Sequence, residues 1–154
     1  MQRVVRVATV ATLAAIVTTP ASAANSGGPT RITTSPIEGR WKAKRITLQE
    51  LIAAGLSRKK AEALSRRVNG TPAIDLRNGT FKGLTLETGH VVSTGTYQVS
   101  GNVVRFIFRT GVAVHLGEAY SLRWSVYRDR LTFSGVPGRP TLGAFTIHPW
   151  TRVT

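Results

Sequence analysis

Cysteine is absent from the 154-residue sequence, and acidic residues are scarce. Without cysteine the chain can form no disulfide bond, no thiolate nucleophile and no cysteine-ligated zinc or iron–sulfur centre. The 7 Asp and Glu residues are outnumbered by 21 Lys and Arg, so the formal net charge is +14. This charge favours anionic partners or surfaces but carries no information about the fold. With 42% hydrophobic residues the chain is not of a disordered type, and its length fits one domain.

Long hydrophobic runs are also missing, except near the N-terminus. Residues 7–17 are uncharged, follow two arginines and precede Ala-Ser-Ala at 21–23, the small residues that signal peptidase requires. The run of about 11 residues is shorter than the roughly 20 that a membrane-spanning helix needs. We therefore predict a signal peptide over residues 1–23, cleavage before Ala24, and a secreted product with no transmembrane segment and a charge of +12. The alternative is an uncleaved N-terminal anchor.

The remaining chain divides into a leader and a folded domain. Residues 24–36 are rich in Gly, Ser, Thr and Pro, which predicts a flexible leader before a domain at residues 37–154. The residues Thr47-Leu48-Gln49-Glu50 have the form of a capping box at a helix start. Gly55 then ends this helix, and Ser57 can cap a second amphipathic helix over residues 58–67. We predict a two-helix lid after one short strand.

From Pro72 onward, apolar and polar residues alternate as they do in β-strands. Asn78-Gly79 is a strong hairpin signal, and residues 103–109 place valine and phenylalanine on one face and arginine on the other. Further strands follow, the last of them over residues 145–150 and 152–153. About eight short antiparallel strands predict an all-β fold, either a closed barrel or a sandwich.

The first strand contains Gly39-Arg40-Trp41, and this pattern resembles the calycin superfamily, which includes the lipocalins. Residues 95–97, 122–125 and 149–153 are similar to exported lipocalin-like domains of actinobacteria, mostly of unassigned function. The resemblance covers residues 37–153 and implies a closed calycin-like barrel whose helical insert is like the lid of fatty-acid-binding proteins. It also implies a structural pair at the barrel end, Trp41 under Arg152. The chain departs from the lipocalin pattern in its short length, and we expect it to have no terminal helix. A second tryptophan near the last strand, Trp150, leaves open which indole Arg152 covers.

An eight-stranded barrel is just wide enough to be packed solid or to hold one small ligand. The aromatic residues of the strands are our candidates for ligand contacts: Phe81, Tyr97, Phe106, Phe108, Trp124 and Phe133. Phe145 and the lid residues Leu48, Leu51 and Leu64 extend this set. The same residues would equally form the core of a solid barrel, so the sequence leaves both interpretations open.

The positive charges are concentrated on the second predicted helix, whose basic lid face consists of Arg58, Lys59, Lys60, Arg66 and Arg67. Such a face is either a solvated helix surface or a site for an anionic lipid surface or envelope polymer. The strand residues Arg105, Arg109 and Arg123 face solvent or, in the opposite register, line the barrel and bind an anionic head group. No aromatic-interleaved basic stripe favours nucleic acid.

No catalytic motif is present. His90, His115 and His148 have no metal-binding spacing, and the acidic residues lie on separate predicted strands and turns. We therefore expect neither an enzyme nor a metal or other cofactor. The sequence favours an exported binding protein, lipocalin-like, for a small apolar or amphipathic ligand. The alternative is a basic module with a solid barrel that adheres to anionic cell-envelope components.

Overall fold

The structure, a computed structural model, describes residues 35–154. In this range eight antiparallel strands form one closed barrel, in which each strand pairs with its sequence neighbours and the last pairs with the first. The strands are β1 (Gly39–Ala43), β2 (Pro72–Arg77), β3 (Thr80–Thr85), β4 (Val91–Ser100), β5 (Val103–Thr110), β6 (Ala119–Tyr127), β7 (Arg130–Gly135) and β8 (Trp150–Arg152). The predicted all-β barrel is confirmed, and the sandwich alternative is excluded.

The helical insert lies between β1 and β2, as predicted. It consists of α1 (Leu48–Ala53) and α2 (Arg58–Arg67). The capping box at the start of α1 is complete, because the Glu50 amide donates to the Thr47 hydroxyl (3.2 Å) and the Thr47 amide donates to the Glu50 carboxylate (2.8 Å). Gly55, at a φ of +94°, ends the first helix, and Ser57 caps the second. The two helices are therefore set by local sequence signals.

The predicted strand over residues 145–150 is wrong. A short helix, α3 (Gly143–Thr146), takes up its first part, and β8 begins only at Trp150. The alternation of apolar and polar residues in this segment has another cause. Phe145 and Trp150 pack against each other at the mouth of the barrel, with ring centroids 5.4 Å apart. Pro149, which precedes Trp150, has no backbone N–H to donate to a neighbouring strand.

The up-and-down topology gives the barrel two different ends. The β2–β3, β4–β5 and β6–β7 hairpins lie at one end, which we call the hairpin end. The insert and the connections over residues 86–90, 111–118 and 136–149 lie at the other, the lid end. Between the two ends the barrel interior is packed with aromatic rings, among them Phe81, Phe106 and Phe133, which meet edge to face.

Candidate functional site: a cavity under the lid

Trp41 and Arg152 are in contact at the hairpin end of the barrel. The Arg152 guanidinium carbon lies 4.1 Å from the centroid of the Trp41 ring, which is fully buried. The guanidinium also donates to the Glu38 carbonyl (3.0 Å) and the Pro36 carbonyl (3.2 Å). The Trp41 indole donates to the Ile37 carbonyl at 2.8 Å. These bonds fasten the chain before β1 across this end of the barrel.

Gly39 is required in this arrangement for two reasons. Its φ is +131°, a backbone conformation that residues with a side chain rarely adopt. A Cβ atom at this position would also lie 2.5 Å from Nη1 of Arg152. The Arg152 guanidinium crosses the backbone at Gly39 before it stacks on the Trp41 ring. This path explains why a glycine lies two residues before the tryptophan.

A cavity occupies the interior at the lid end, and it exists because the inward-facing residues there are small. Ile74 on β2 pairs with Gly83 on β3, which pairs with Ser93 on β4. Residues paired across neighbouring strands point to the same face of a sheet, and Ile74 is fully buried, so this row points inward. Gly83 adds no side chain and Ser93 adds a single hydroxyl. The row leaves an unfilled volume of about 150 Å³.

The walls of the cavity come from three parts of the chain. The lid, which we define as residues 46–68, contributes Leu51, Leu56, Leu64 and Val68. The barrel contributes mainly Ile74, Leu84, Phe108 and Tyr120, and the connections at the lid end contribute Val112, Val114, Leu142 and Phe145. No charged side chain lines the cavity in the described part of the chain. The lining is therefore mainly apolar, as the walls of ligand-binding pockets commonly are.

Hydrogen-bonding groups in the cavity walls are few. The Tyr120 hydroxyl accepts from the His115 amide (2.8 Å), and the Trp150 indole donates to the Phe145 carbonyl (3.1 Å). The aliphatic hydroxyls of the lining belong to Ser65, Ser93 and Thr141. Polar contacts with an occupant would thus come mainly from these three hydroxyls.

Of the six aromatic residues predicted to contact a ligand, Phe108 lines the cavity. The other five lie outside the lining: Phe81, Tyr97, Phe106, Trp124 and Phe133. They pack below the cavity, and Phe108 joins them through its contact with Phe81, at a centroid distance of 4.9 Å. The barrel is therefore solid at the level of these five residues and has its cavity above them, and contact of the six residues with a ligand stays a prediction.

The lid residues divide in the same way. Leu51 and Leu64 line the cavity, as does Phe145 of α3, whereas Leu48 lies outside the lining. Sequence reasoning missed Gly83 and Ser93. A glycine inside a strand pattern was the available signal, because such residues mark places where the wall lacks a side chain.

The basic lid face is exposed along α2. All five of its cations point to solvent, and Arg58 forms an ion pair with Glu62 at 3.1 Å. The strand residues Arg105, Arg109 and Arg123 are exposed on the outer surface of the barrel. Their strands place Phe106, Phe108 and Leu122 inside instead. The interpretation that these arginines line the barrel is therefore wrong.

The lid meets the chain that follows β7 at two points. Gly143 packs so closely on the α1–α2 connection that a Cβ would lie 2.5 Å from the Ala54 carbonyl oxygen. His148 Nε2 lies 3.1 Å from Glu50 Oε1, off the direction of a hydrogen bond. Hydrogen bonds from the Thr47 amide and hydroxyl lower the pKa of Glu50, with smaller contributions from His148 and Lys44. The Glu50 carboxylate thus both caps α1 and faces the end of the chain.

The histidines do not assemble a metal site. His90 and His115 are exposed on separate connections, and His148 lies beside the lid. Within residues 35–154 no three His, Asp or Glu side chains gather closely enough to hold a metal ion. Over the same range, no helix has the length and apolar character needed to cross a bilayer.

The fold and the site together define a class, a closed eight-stranded β-barrel with a helical lid over an uncharged cavity. Comparisons of the chain with profiles of known families, with curated proteins and with solved structures found no match. The assignment to this class rests on the structure alone, and the resemblance to lipocalins stays a prediction.

Proposed function

We propose that this protein binds one small, uncharged, largely apolar molecule in the cavity between the barrel and its lid. The observation that carries the proposal is an unfilled volume of about 150 Å³ without a charged side chain in its lining. An apolar cavity of about this volume can hold one benzene molecule. A charged ligand would lose its hydration there without gaining an opposite charge. The proposed ligand is thus the size of one six-membered ring.

Thermal unfolding in the presence of toluene tests this proposal. A ligand that binds only the folded state stabilises it by about 2.7 kcal/mol at one hundred times its dissociation constant. We expect toluene to raise the Tm of the wild type but not that of Ser65→Leu, because a leucine at this lining position on α2 occupies the cavity. The control is Arg66→Leu, the same new side chain on the exposed face of the helix. An unchanged wild-type Tm at saturating toluene would refute the proposal.

A second candidate function, adhesion to anionic cell-envelope components, is supported by the exposed basic lid face. A cluster of cations on one helix attracts an anionic surface, and salt screens this attraction within a distance of about 8–10 Å. We expect cosedimentation with vesicles of equal phosphatidylglycerol and phosphatidylcholine at low salt, and its loss at high salt. Lys59→Ala/Lys60→Ala should weaken it severalfold more than Arg105→Ala/Arg123→Ala, which removes equal charge from the barrel surface. Equal effects would refute a role for this face.

Export is the third part of the proposal. It is supported by the signal-peptide pattern of residues 1–23, which lie outside the described residues. We expect protein recovered from the medium of a secretion-competent bacterium to begin at Ala24, as read by N-terminal sequencing. Cell-associated protein that begins at Met1 would support the uncleaved anchor instead.

A further inference from the structure

Ser93 places a hydroxyl on the inner wall of the cavity. The residue belongs to the inward row with Ile74 and Gly83, and its Oγ lies where a Cβ on Gly83 would collide with it. On its other side a Cβ on Gly111 would lie 3.4 Å from the Ser93 Cβ. Gly83 and Gly111 therefore flank Ser93. Because neither has a side chain, neither separates the Ser93 hydroxyl from the cavity.

The hydrogen bonding of Ser93 differs from that of its neighbours on the barrel. The outward-facing Thr94 hydroxyl pairs with that of Thr110 at 2.8 Å, and Ser125 pairs with Thr132 at 2.7 Å. No hydrogen bond joins the Ser93 hydroxyl to another residue in the described part of the chain, and this half-buried residue lines the cavity. A ligand in the cavity removes this hydroxyl from water, which costs free energy unless the ligand supplies a polar atom to bond with it.

The lining restricts what that polar atom can be. A serine hydroxyl is one donor and also an acceptor, so it can bind either a hydroxyl group or a carbonyl oxygen. A carboxylate or an ammonium group is disfavoured, because no charged side chain lines the cavity. The volume of about 150 Å³ leaves room for one ring or a branched chain of similar size beside this contact.

We propose that the ligand is an uncharged single-ring phenol, alcohol or ketone whose one oxygen atom hydrogen-bonds to Ser93. This inference rests on the proposed binding function and narrows it to a chemical class. Ser93 is then the residue that determines specificity, and the apolar walls supply most of the affinity. A hydrocarbon of the same size binds the same cavity but leaves the Ser93 hydroxyl without a partner.

Titration calorimetry of the full chain with phenol and with toluene tests the inference. Replacement of Ser93 by alanine removes the hydroxyl and little volume, so we expect phenol to bind about tenfold more weakly to Ser93→Ala. Toluene affinity should stay within twofold. Ser93→Cys, which keeps the size but donates more weakly, should give an intermediate value for phenol. Ser134→Ala is the matched control, because it removes a serine hydroxyl from the exposed outer surface of β7, outside the cavity lining.

The outcomes separate the two proposals. If toluene binds and Ser93→Ala changes phenol and toluene affinity equally, the Ser93 assignment is overturned and the proposed function stands. An equal loss of phenol affinity in Ser134→Ala also overturns the assignment, because that hydroxyl lies outside the cavity lining. If neither compound binds the wild type, the proposed function itself fails, and the inference fails with it. Unfolding of the unliganded variants checks that each keeps its fold.

Discussion

Replacement of Arg152 by alanine should destabilise the barrel by roughly 2–4 kcal/mol, and the contacts of the guanidinium set this magnitude. Its stack on the buried Trp41 ring, at 4.1 Å, contributes about 0.5–1 kcal/mol. Its bonds to the Glu38 and Pro36 carbonyls, at 3.0 and 3.2 Å, contribute about 1 kcal/mol each and more where water is excluded. The ion pair with Asp129 is long, at 3.9 Å, and the Asp129 side chain is exposed, so we assign it nothing.

Urea denaturation followed by tryptophan fluorescence measures this loss as a lower unfolding midpoint. Arg152→Lys keeps the charge but loses the planar fork that reaches both carbonyls, so its free energy of unfolding should lie between those of the wild type and Arg152→Ala. Arg123→Ala is the control, an exposed arginine on the outer barrel surface, and should change stability by less than about 0.5 kcal/mol. An Arg152→Ala variant as stable as Arg123→Ala would refute the reasoning.

A double-mutant cycle with Gly39→Ala sharpens the same test. The added Cβ would lie 2.5 Å from Nη1 of Arg152, and the φ of +131° strains any side chain at position 39. Loss of Arg152 removes the steric part of this cost but not the backbone part. We therefore expect Gly39→Ala to be less destabilising in the Arg152→Ala background than in the wild type. Additive effects would show that the guanidinium does not restrict position 39.

Three further predictions concern the lid and the hairpin end. Leu51→Ala should cost about 2–4 kcal/mol in urea denaturation and enlarge the cavity, so that ligands larger than toluene bind more tightly than they do to the wild type. Hydrogen bonds from Thr47 lower the pKa of the Glu50 carboxyl group below 4.5. The contribution of this carboxylate to the free energy of unfolding is therefore present above pH 4.5 and is lost as the pH falls through the lowered pKa. Glu50→Gln should flatten this acid dependence of the unfolding midpoint. Burial, assisted by Glu38, raises the pKa of Tyr97 from 10.0 to about 12. The associated stability is complete below pH 10 and is lost towards pH 12, and Tyr97→Phe should show less of this alkaline loss.

The sequence predicts the fold well wherever local signals and strand alternation agree. The capping box at Thr47, the serine cap at Ser57 and the Asn78-Gly79 turn all lie where the structure has them. Alternation also assigns Phe106 to the interior correctly. It fails at residues 145–150, where the aromatic residues cover the mouth of the barrel instead of pairing as a strand. Periodicity reports which side chains are buried, and it cannot tell which surface buries them.

The cavity was harder to predict from the sequence, because it lies at a level of the barrel where large inward-facing side chains are missing. Large aromatic residues suggest ligand walls, but a closed interior of this width has them pack on one another, as Phe106 and Phe133 do. The space lies instead where Gly83 and Ser93 face inward beside each other. This coincidence depends on the register of β3 with β4, which shifts just after Gly83. The alternation of apolar and polar residues does not reveal this register, because a glycine in the strand weakens the pattern that sets it.

The hollow level has an energetic consequence for the ligand-free protein. At about 24 cal/mol per Å³, a fully enclosed and unfilled volume of 150 Å³ would cost about 4 kcal/mol relative to a filled interior, and this value is an upper bound for a cavity that is partly open. A ligand present at one thousand times its dissociation constant stabilises the fold by about the same amount, roughly 4 kcal/mol. If the barrel had only to be stable, one leucine at Ser65 would remove much of this cost. The same substitution should abolish the proposed binding. A Ser65→Leu variant that is more stable than the wild type and whose Tm no longer responds to toluene would show that the cavity which lowers the stability is also the binding site.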